Sequence, residues 1–189
     1  MAALKTSKTE LAKEINAAIK RTAVHSYTVI FPLETSGDDI KGMKILLGLK
    51  KRGMGVGLWN GFGGKVEHGE TFDECAHREL KEECGLGAGT MEHVGVLFMK
   101  RRDGSGMVIC VYRAQKLTGA IAESDEMEPR WFDVSDLPYD SAYKEARLWW
   151  PMMLSGKAFV GHFAFSNPDI IRYNIECVED ASDPRCLKS

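Results

Sequence analysis

Gly61-Phe62-Gly63-Gly64-Lys65-Val66-Glu67-His68-Gly69-Glu70-Thr71-Phe72-Asp73-Glu74-Cys75-Ala76-His77-Arg78-Glu79-Leu80-Lys81-Glu82-Glu83-Cys84-Gly85 is a glycine-dense loop running into a helix, and the reading of that helix decides the fold. Thr71 with Glu74 gives the capping-box pattern that starts a helix, and Gly85 is the residue type that ends one. With residues placed at about 100 degrees apiece and Glu79 as origin, Phe72, Cys75, Ala76, Glu82 and Glu83 all fall within about 60 degrees of it. Asp73, Glu74, His77 and Lys81 take the opposite side, so the solvent face is accounted for without the three glutamates. They are expected to point inward. Three carboxylates gathered at a partly buried place repel one another and lose hydration, which drives proton uptake unless a cation neutralises them. Magnesium favours oxygen ligands and keeps waters and substrate phosphates in its shell, so it suits an acid cluster beside a phosphate chain. The competing reading is a run of ordinary surface acids, which the angular position disfavours. Gly61, Gly63 and Gly64 leave room for close backbone approach, so a main-chain carbonyl can join the metal shell. A nucleotide P-loop is excluded, because Gly63-Gly64-Lys65 is followed by Val66 where a Ser or Thr would have to meet the metal.

Outward from this segment, strand-like stretches run from His25 to Leu33 and from Lys44 to Lys50, separated by the turn-forming Thr35-Ser36-Gly37-Asp38-Asp39; they can form a hairpin. Val94 to Met99 and Met107 to Ala114 are apolar strands joined across Asp103-Gly104-Ser105-Gly106, a good hairpin turn. Trp131-Phe132-Asp133-Val134 reads as another strand, Tyr143 to Leu154 as a helix despite Pro151, Phe159 to Phe165 as a strand, and Ile170 to Val178 as the strand that closes the sheet. At the N-terminus Ser7 to Thr22 reads as an amphipathic accessory helix with Leu11, Ile15, Ala18 and Ile19 on one face. Strands and helices mixed without a repeating βαβ unit predict an α+β fold, a mixed sheet flanked by helices. The expected organisation is an accessory helix over 1–23, one catalytic domain over 24–180 and a tail over 181–189.

The chain has 189 residues, 44% of them hydrophobic, which suits one compact domain. A formal charge of −2 without a long basic tract argues against a nucleic-acid polymer as partner. Lys50-Lys51-Arg52 and Lys100-Arg101-Arg102 are short, and read first as solvated strand ends. The five cysteines are odd in number and have no Cys-x-x-Cys pair, so reduced thiols in a cytoplasmic protein are expected, in nuclear or mitochondrial pools as alternatives. No apolar run approaches the roughly 20 residues of a membrane span, and neither a secretory signal nor a mitochondrial presequence is read at the N-terminus.

Gly64 to Glu70 and, seven residues on, Arg78 to Leu86 match every fixed position of the Nudix box. Leu58-Trp59-Asn60-Gly61-Phe62-Gly63-Gly64-Lys65 and Glu123-Ser124-Asp125-Glu126-Met127 further resemble the eukaryotic MutT-like branch of that family, which hydrolyses oxidised purine nucleoside triphosphates. The resemblance runs from about Tyr27 to Val178 and implies the Nudix αβα sandwich. It implies that Glu79, Glu82 and Glu83 bind Mg2+, with Mn2+ able to substitute, and that the Gly63 carbonyl and Glu126 complete the site. Arg78 and Glu70 become orienting residues, and Lys50 and Lys65 the candidate phosphate-side cations. Water then attacks the β-phosphorus and a nucleoside monophosphate leaves, which would sanitise the nucleotide pool. The expected partner is a small nucleotide bound by a monomer.

In the resembled enzymes the base lies against an aromatic residue and is read by an asparagine and by two acids that follow the aromatic. Asn60 matches the asparagine, and Tyr143 stands where the family has tryptophan, a smaller stacking surface. Glu145 occupies one acid position and Ala146 the other, so Glu145 alone is expected to read the base and purine selectivity to narrow. Thr28, Phe62, Gly63 and Gly64 complete the expected substrate-binding set, with Met54, Met99, Met107, Trp149 and Trp150 as further candidates for the pocket wall. Two other readings stay open: a Nudix pyrophosphatase acting on a dinucleoside polyphosphate or ADP-ribose, and a non-catalytic nucleotide sensor. A retired sensor would normally have lost a metal carboxylate, and here all are present.

Overall fold

Residues that alternate along a strand face opposite sides of a sheet, and here both sides are apolar. The computed structural model describes residues 24–35, 42–166 and 169–178; the expected N-terminal helix, most of the 35–39 turn and the tail lie outside the described residues. Eight strands, β1 (Val24–Glu34), β2 (Lys44–Lys50), β3 (Trp59–Asn60), β4 (Gly87–Arg101), β5 (Gly106–Thr118), β6 (Met127–Asp133), β7 (Phe159–Ser166) and β8 (Asp169–Cys177), form one mixed sheet. Its order is β3-β2-β1-β5-β4-β7-β8, with β6 on the other side of β2. β1 runs parallel to β5 and β4 parallel to β7, and the remaining pairs are antiparallel.

The helices are α1 (Phe72–Cys84) and α2 (Ala146–Leu154). α1 buries Ala76, Leu80 and Cys84 against Ile30, Leu46, Val96, Cys110 and Met127. α2 buries Ala146, Trp149, Trp150 and Met153 against Val29, Phe31, Ile45, Leu47, Leu97 and Val111. Ile30 thus serves one core while its neighbours Val29 and Phe31 serve the other, and Leu46 is flanked in the same way. Strands apolar on both faces are what a sheet between two helices requires, so the expected αβα arrangement is the observed one.

Three expectations are modified. β1 and β2 touch only at Leu33–Ile45 and Glu34–Lys44; the rest of β1 lies along β5 from Val24–Gly106 to Pro32–Ala114, so the hairpin is confined to its root. The β4–β5 hairpin extends well beyond the apolar runs, to Gly87 and Thr118. The second helix begins at Ala146 rather than Tyr143, which leaves Tyr143 and Glu145 in the turn that precedes it.

Candidate active site

α1 starts as the sequence dictates: the Thr71 hydroxyl accepts from the Glu74 amide while the Glu74 carboxylate accepts from the Thr71 amide, and Gly85 closes the helix at φ 77°. The caps fix where the helix begins and ends, and packing sets its rotation. Its buried stripe is Cys75, Ala76, Leu80, Glu83 and Cys84, centred roughly 60 degrees from Glu79 on the side away from Glu82. Glu83 is therefore nearly enclosed, with 5% of its side chain exposed, and Glu79 sits at the edge with 14%. Glu82 is 60% exposed. This corrects the expectation of three inward acids: only two turn in, because Leu80 and Ala76 rather than Glu79 set the middle of the packed face.

Glu83 accepts from the Gly63 amide at 2.7 Å and from Lys50 Nζ at 3.3 Å. Burial pushes its carboxyl up to about 7 against the pull of both donors. The Glu79 carboxyl is also raised, first by burial, with the neighbouring Arg78 working the other way and the charges of Glu82 and Glu126 adding to the rise. Arg78 is the organising cation. It donates to Glu70 at 2.7 and 2.9 Å, to Glu79 at 2.7 Å and to Glu82 at 3.1 Å, and its hydrogen bonds hold the Glu70 carboxyl down at about 2. The loop fits this arrangement closely. A Cβ on Gly64 would stand 2.3 Å from Glu79 Oε1, and one on Gly63, at φ 150°, would stand 2.2 Å from the Thr28 carbonyl oxygen.

From the opposite wall comes Glu126, in the loop before β6. It accepts from Lys50 Nζ at 3.1 Å and from Arg52; those two donors, Arg52 first, hold its carboxyl below the ordinary value. Burial opposes the Lys50 charge, yet Glu83 and Glu126 outweigh it and keep the ammonium's pKa above the usual lysine value. Glu79, Glu82, Glu83 and Glu126 line one open cleft of about 320 Å³ together with Arg52, Ser124 and Asp125. Among the described residues no three His, Cys, Asp or Glu side chains are already grouped for a cation; Lys50, Arg52 and Arg78 take up the carboxylates instead. The donor set still suits a hard divalent ion: oxygen ligands only, two of them desolvated and destabilised as anions, at an opening wide enough for waters and phosphates.

The base-side residues gather differently. A bridge between Trp59 and Ala142 sets Asn60, half-buried at the end of β3, beside the turn that carries Tyr143 and Glu145. Burial, then the Glu145 charge, raises the Tyr143 phenol, and burial raises the Glu145 carboxyl. Tyr143 donates to the Met54 carbonyl at 3.2 Å, which ties this turn to the glycine-rich loop after β2. Three expectations are corrected. Phe62 is wholly buried in the core under α1, so its ring does not reach the cleft. Thr28 is 3% exposed and its hydroxyl meets Cys75 Sγ at 3.3 Å, because position 28 shares the α1 face with Ile30. Trp150 is fully enclosed and serves as core. Lys65 is exposed, and its carbonyl accepts from Arg78 at 3.4 Å. The sequence reading passed over Arg52 as an individual residue; the signal was the alternation of Lys50 and Arg52 along an extended chain, which puts both on one side.

Residues 22–151 match the NUDIX domain, and the chain belongs to the Nudix family of hydrolases, which are typically dependent on a divalent metal. It is 44% identical over 139 residues to the oxidized purine nucleoside triphosphate hydrolase of Danio rerio, a match covering 72% of this chain and 89% of that protein. Against the enzyme of the same name from Mus musculus it is 38% identical over 155 residues, covering 81% and 95%. The crystal structure of a MutT protein from Bacillus halodurans superposes with a TM-score of 0.70 at 21% identity, covering 81% of this chain and 98% of that one, a likeness of fold. Among the described residues no helix is long and apolar enough to cross a membrane.

Proposed function

We propose that this protein hydrolyses oxidised purine nucleoside triphosphates, 8-oxo-dGTP foremost, to the monophosphate and pyrophosphate in a Mg2+-dependent reaction. The observation that carries the reading is the single cleft in which Glu79 and Glu83 of α1 face Glu126 across Lys50; the substrate class is supported by the relatives of 44% and 38% identity. Hydrolysis joins the water oxygen to the β-phosphorus and breaks the bond from that phosphorus to the α–β bridging oxygen, which leaves on the monophosphate. The water's proton passes to a cleft carboxylate. Glu79, Glu82, Glu83, Glu126 and the Gly63 carbonyl are the groups that would hold Mg2+, or Mn2+ in its place; the ion supplies charge neutralisation at the phosphoryl oxygens. Glu82, 60% exposed, would join from the rim.

Arg78 fixes Glu79 by a short ion pair and is itself fixed by Glu70, so removing either loosens a ligand without emptying the cleft. Lys50 lies between Glu83 and Glu126, at the place where a phosphate chain would add negative charge. Asn60, Tyr143 and Glu145 form the base-reading side. Because Ala146 replaces the second acid and is 1% exposed at the head of α2, Glu145 reads the base alone and selectivity narrows toward 8-oxoguanine.

A competition panel of unmodified, 8-oxo, 2-hydroxy and N6-methyl purine triphosphates, scored by pyrophosphate release with Mg2+, tests this. Preference for 8-oxo-dGTP is expected, with loss of turnover in Glu82→Gln and Glu83→Gln. Pyrophosphate release from none of these compounds would overturn the hydrolase reading, and equal efficiency on 8-oxo-dGTP and 2-hydroxy-dATP would overturn the narrowed selectivity.

A further inference from the structure

The basic run that ends β2 places three neighbouring cations in different situations. Lys50 is partly buried and shared between Glu83 and Glu126. Lys51 turns to the outside, where its amine meets Glu123 Oε1 and the Ser124 carbonyl, each at 2.7 Å, while its backbone amide donates to the Glu126 carbonyl at 2.8 Å. Arg52 turns back to the cleft and contacts Glu126 through one guanidinium nitrogen, Nη2. Its side chain remains 61% exposed. The backbone beneath Arg52 is thus pinned by Lys51, while the guanidinium is held by one partner and keeps donors to spare; the Gly53 that follows, at φ 77°, turns the chain away and leaves the side chain room to swing.

We propose that Arg52 is a phosphate-binding residue, parked on Glu126 in the free protein and passed to the outer phosphates of the substrate when a metal-bound polyphosphate enters. The inference rests on the hydrolase reading above, and it follows from the ledger of charge in the cleft. The acids there, Glu79, Glu82, Glu83, Asp125 and Glu126, are opposed by Lys50, Arg52 and Arg78. Were Glu126 to ligate a divalent ion it would no longer accept from Arg52, whose freed donors could turn to phosphate oxygens entering the same cleft. Arg78 stays anchored by Glu70, which is not among the metal-holding groups, and Lys50 lies deeper, with 18% of its side chain exposed between Glu83 and Glu126. Arg52 is the cation with a single carboxylate partner, the greatest exposure of the three, and a planar fork suited to two phosphate oxygens.

The exchange predicts that polyphosphate affinity falls while metal affinity does not, a split that a structural role would not produce. In Arg52→Gln, Glu126 is relieved of a competing cation, so Mn2+ titrated without nucleotide binds equally well or up to about threefold tighter, the range set by an exposed ion pair. Inorganic tripolyphosphate with Mg2+ binds roughly tenfold more weakly by calorimetry, as loss of a charged hydrogen bond implies, and KM for 8-oxo-dGTP rises by a similar factor. Binding of dGMP, which lacks the outer phosphates, stays unchanged. Arg52→Lys restores part of the tripolyphosphate affinity. Weaker Mn2+ binding, unaltered tripolyphosphate affinity, or equal losses on tripolyphosphate and dGMP would each overturn the proposal while wild-type turnover leaves the hydrolase reading intact. A wild-type protein that binds no tripolyphosphate overturns the proposal alone, whereas absence of pyrophosphate release from 8-oxo-dGTP overturns the hydrolase reading on which it rests.

Discussion

Helices α1 and α2 cover opposite faces of the same sheet and are held there by different means. α1 is specified locally: a complete capping box at Thr71 and Glu74, a left-handed Gly85, and Lys81 donating to the Gly85 carbonyl at 2.8 Å. α2 has no side-chain cap at its N-terminus and contains Pro151, and at its C-terminus only the Ser155 hydroxyl donates to the Met152 carbonyl, at 2.8 Å; packing holds it, through Trp149 and Trp150 against Phe31. The polar accounting differs as well. Under α1 the buried groups are partnered, Glu83 with Gly63 and Lys50, Thr28 with Cys75, Cys84 with the Leu80 carbonyl, and Tyr112 with Asp73. Around α2, Trp149 Nε1, Trp150 Nε1 and Arg113 Nε find no hydrogen-bond partner among the described residues. A face fixed by caps and satisfied hydrogen bonds can hold metal-binding acids to a narrow geometry. A face fixed by bulk apolar packing tolerates exchange of residues at its edge, and that edge carries Tyr143 and Ala146, at the positions where the resemblance leads one to expect a tryptophan and a second acid.

The contrast can be broken most directly at Glu83. Glu83→Gln keeps an oxygen to accept from Gly63 but removes the charge, so kcat is expected to fall by about 10²–10³-fold, the scale of losing one electrostatic group at a reacting phosphate. The metal-free protein's Tm should not fall, since a destabilised buried anion is gone; a lower Tm would mean that the carboxylate is structural. Leu80→Ala should cost about 2–5 kcal/mol in denaturant unfolding by leaving a cavity under α1. A loss below about 1 kcal/mol, below the range for such a truncation, would show that the caps rather than packing hold α1 in place.

His162 is the exception on the α1 face: it stacks on Phe98 at 4.9 Å, its Nε2 lacks a hydrogen-bond partner among the described residues, and burial lowers its imidazole to about 4. A lowered histidine is stabilising where both states are neutral, above the unfolded value of about 6.5, and the advantage is lost as pH falls toward about 4 because the unfolded chain gains a proton first. The expected cost over that window is about 3 kcal/mol, and His162→Phe should flatten it in stability measured against pH. An unchanged slope would assign the acid sensitivity elsewhere. The smallest effect is expected on the α2 side. Ala146→Asp, restoring a second acid beside Glu145, should raise efficiency on 2-hydroxy-dATP relative to 8-oxo-dGTP by about tenfold, one hydrogen bond's worth; a fixed ratio would show that base selectivity is set by other residues.

What the sequence determined by itself was local. The start, end and amphipathic character of α1, the β4–β5 hairpin turn, the apolar strands and the inward setting of Glu79 and Glu83 follow from capping, turn chemistry and periodicity within a few residues. Tertiary structure alone decided what depends on elements distant in the chain. It paired most of β1 with β5 and left β2 only the root of the hairpin, brought Glu126 to Lys50 and Arg52 across more than 70 residues, buried Phe62 and Thr28, and rolled α1 so that Glu82 stayed at the rim. The physical reason is that a helix's rotation, and the partner a strand chooses, are set by which side chains fill the shared core most completely, and that sum is taken over the whole sheet rather than along any one segment.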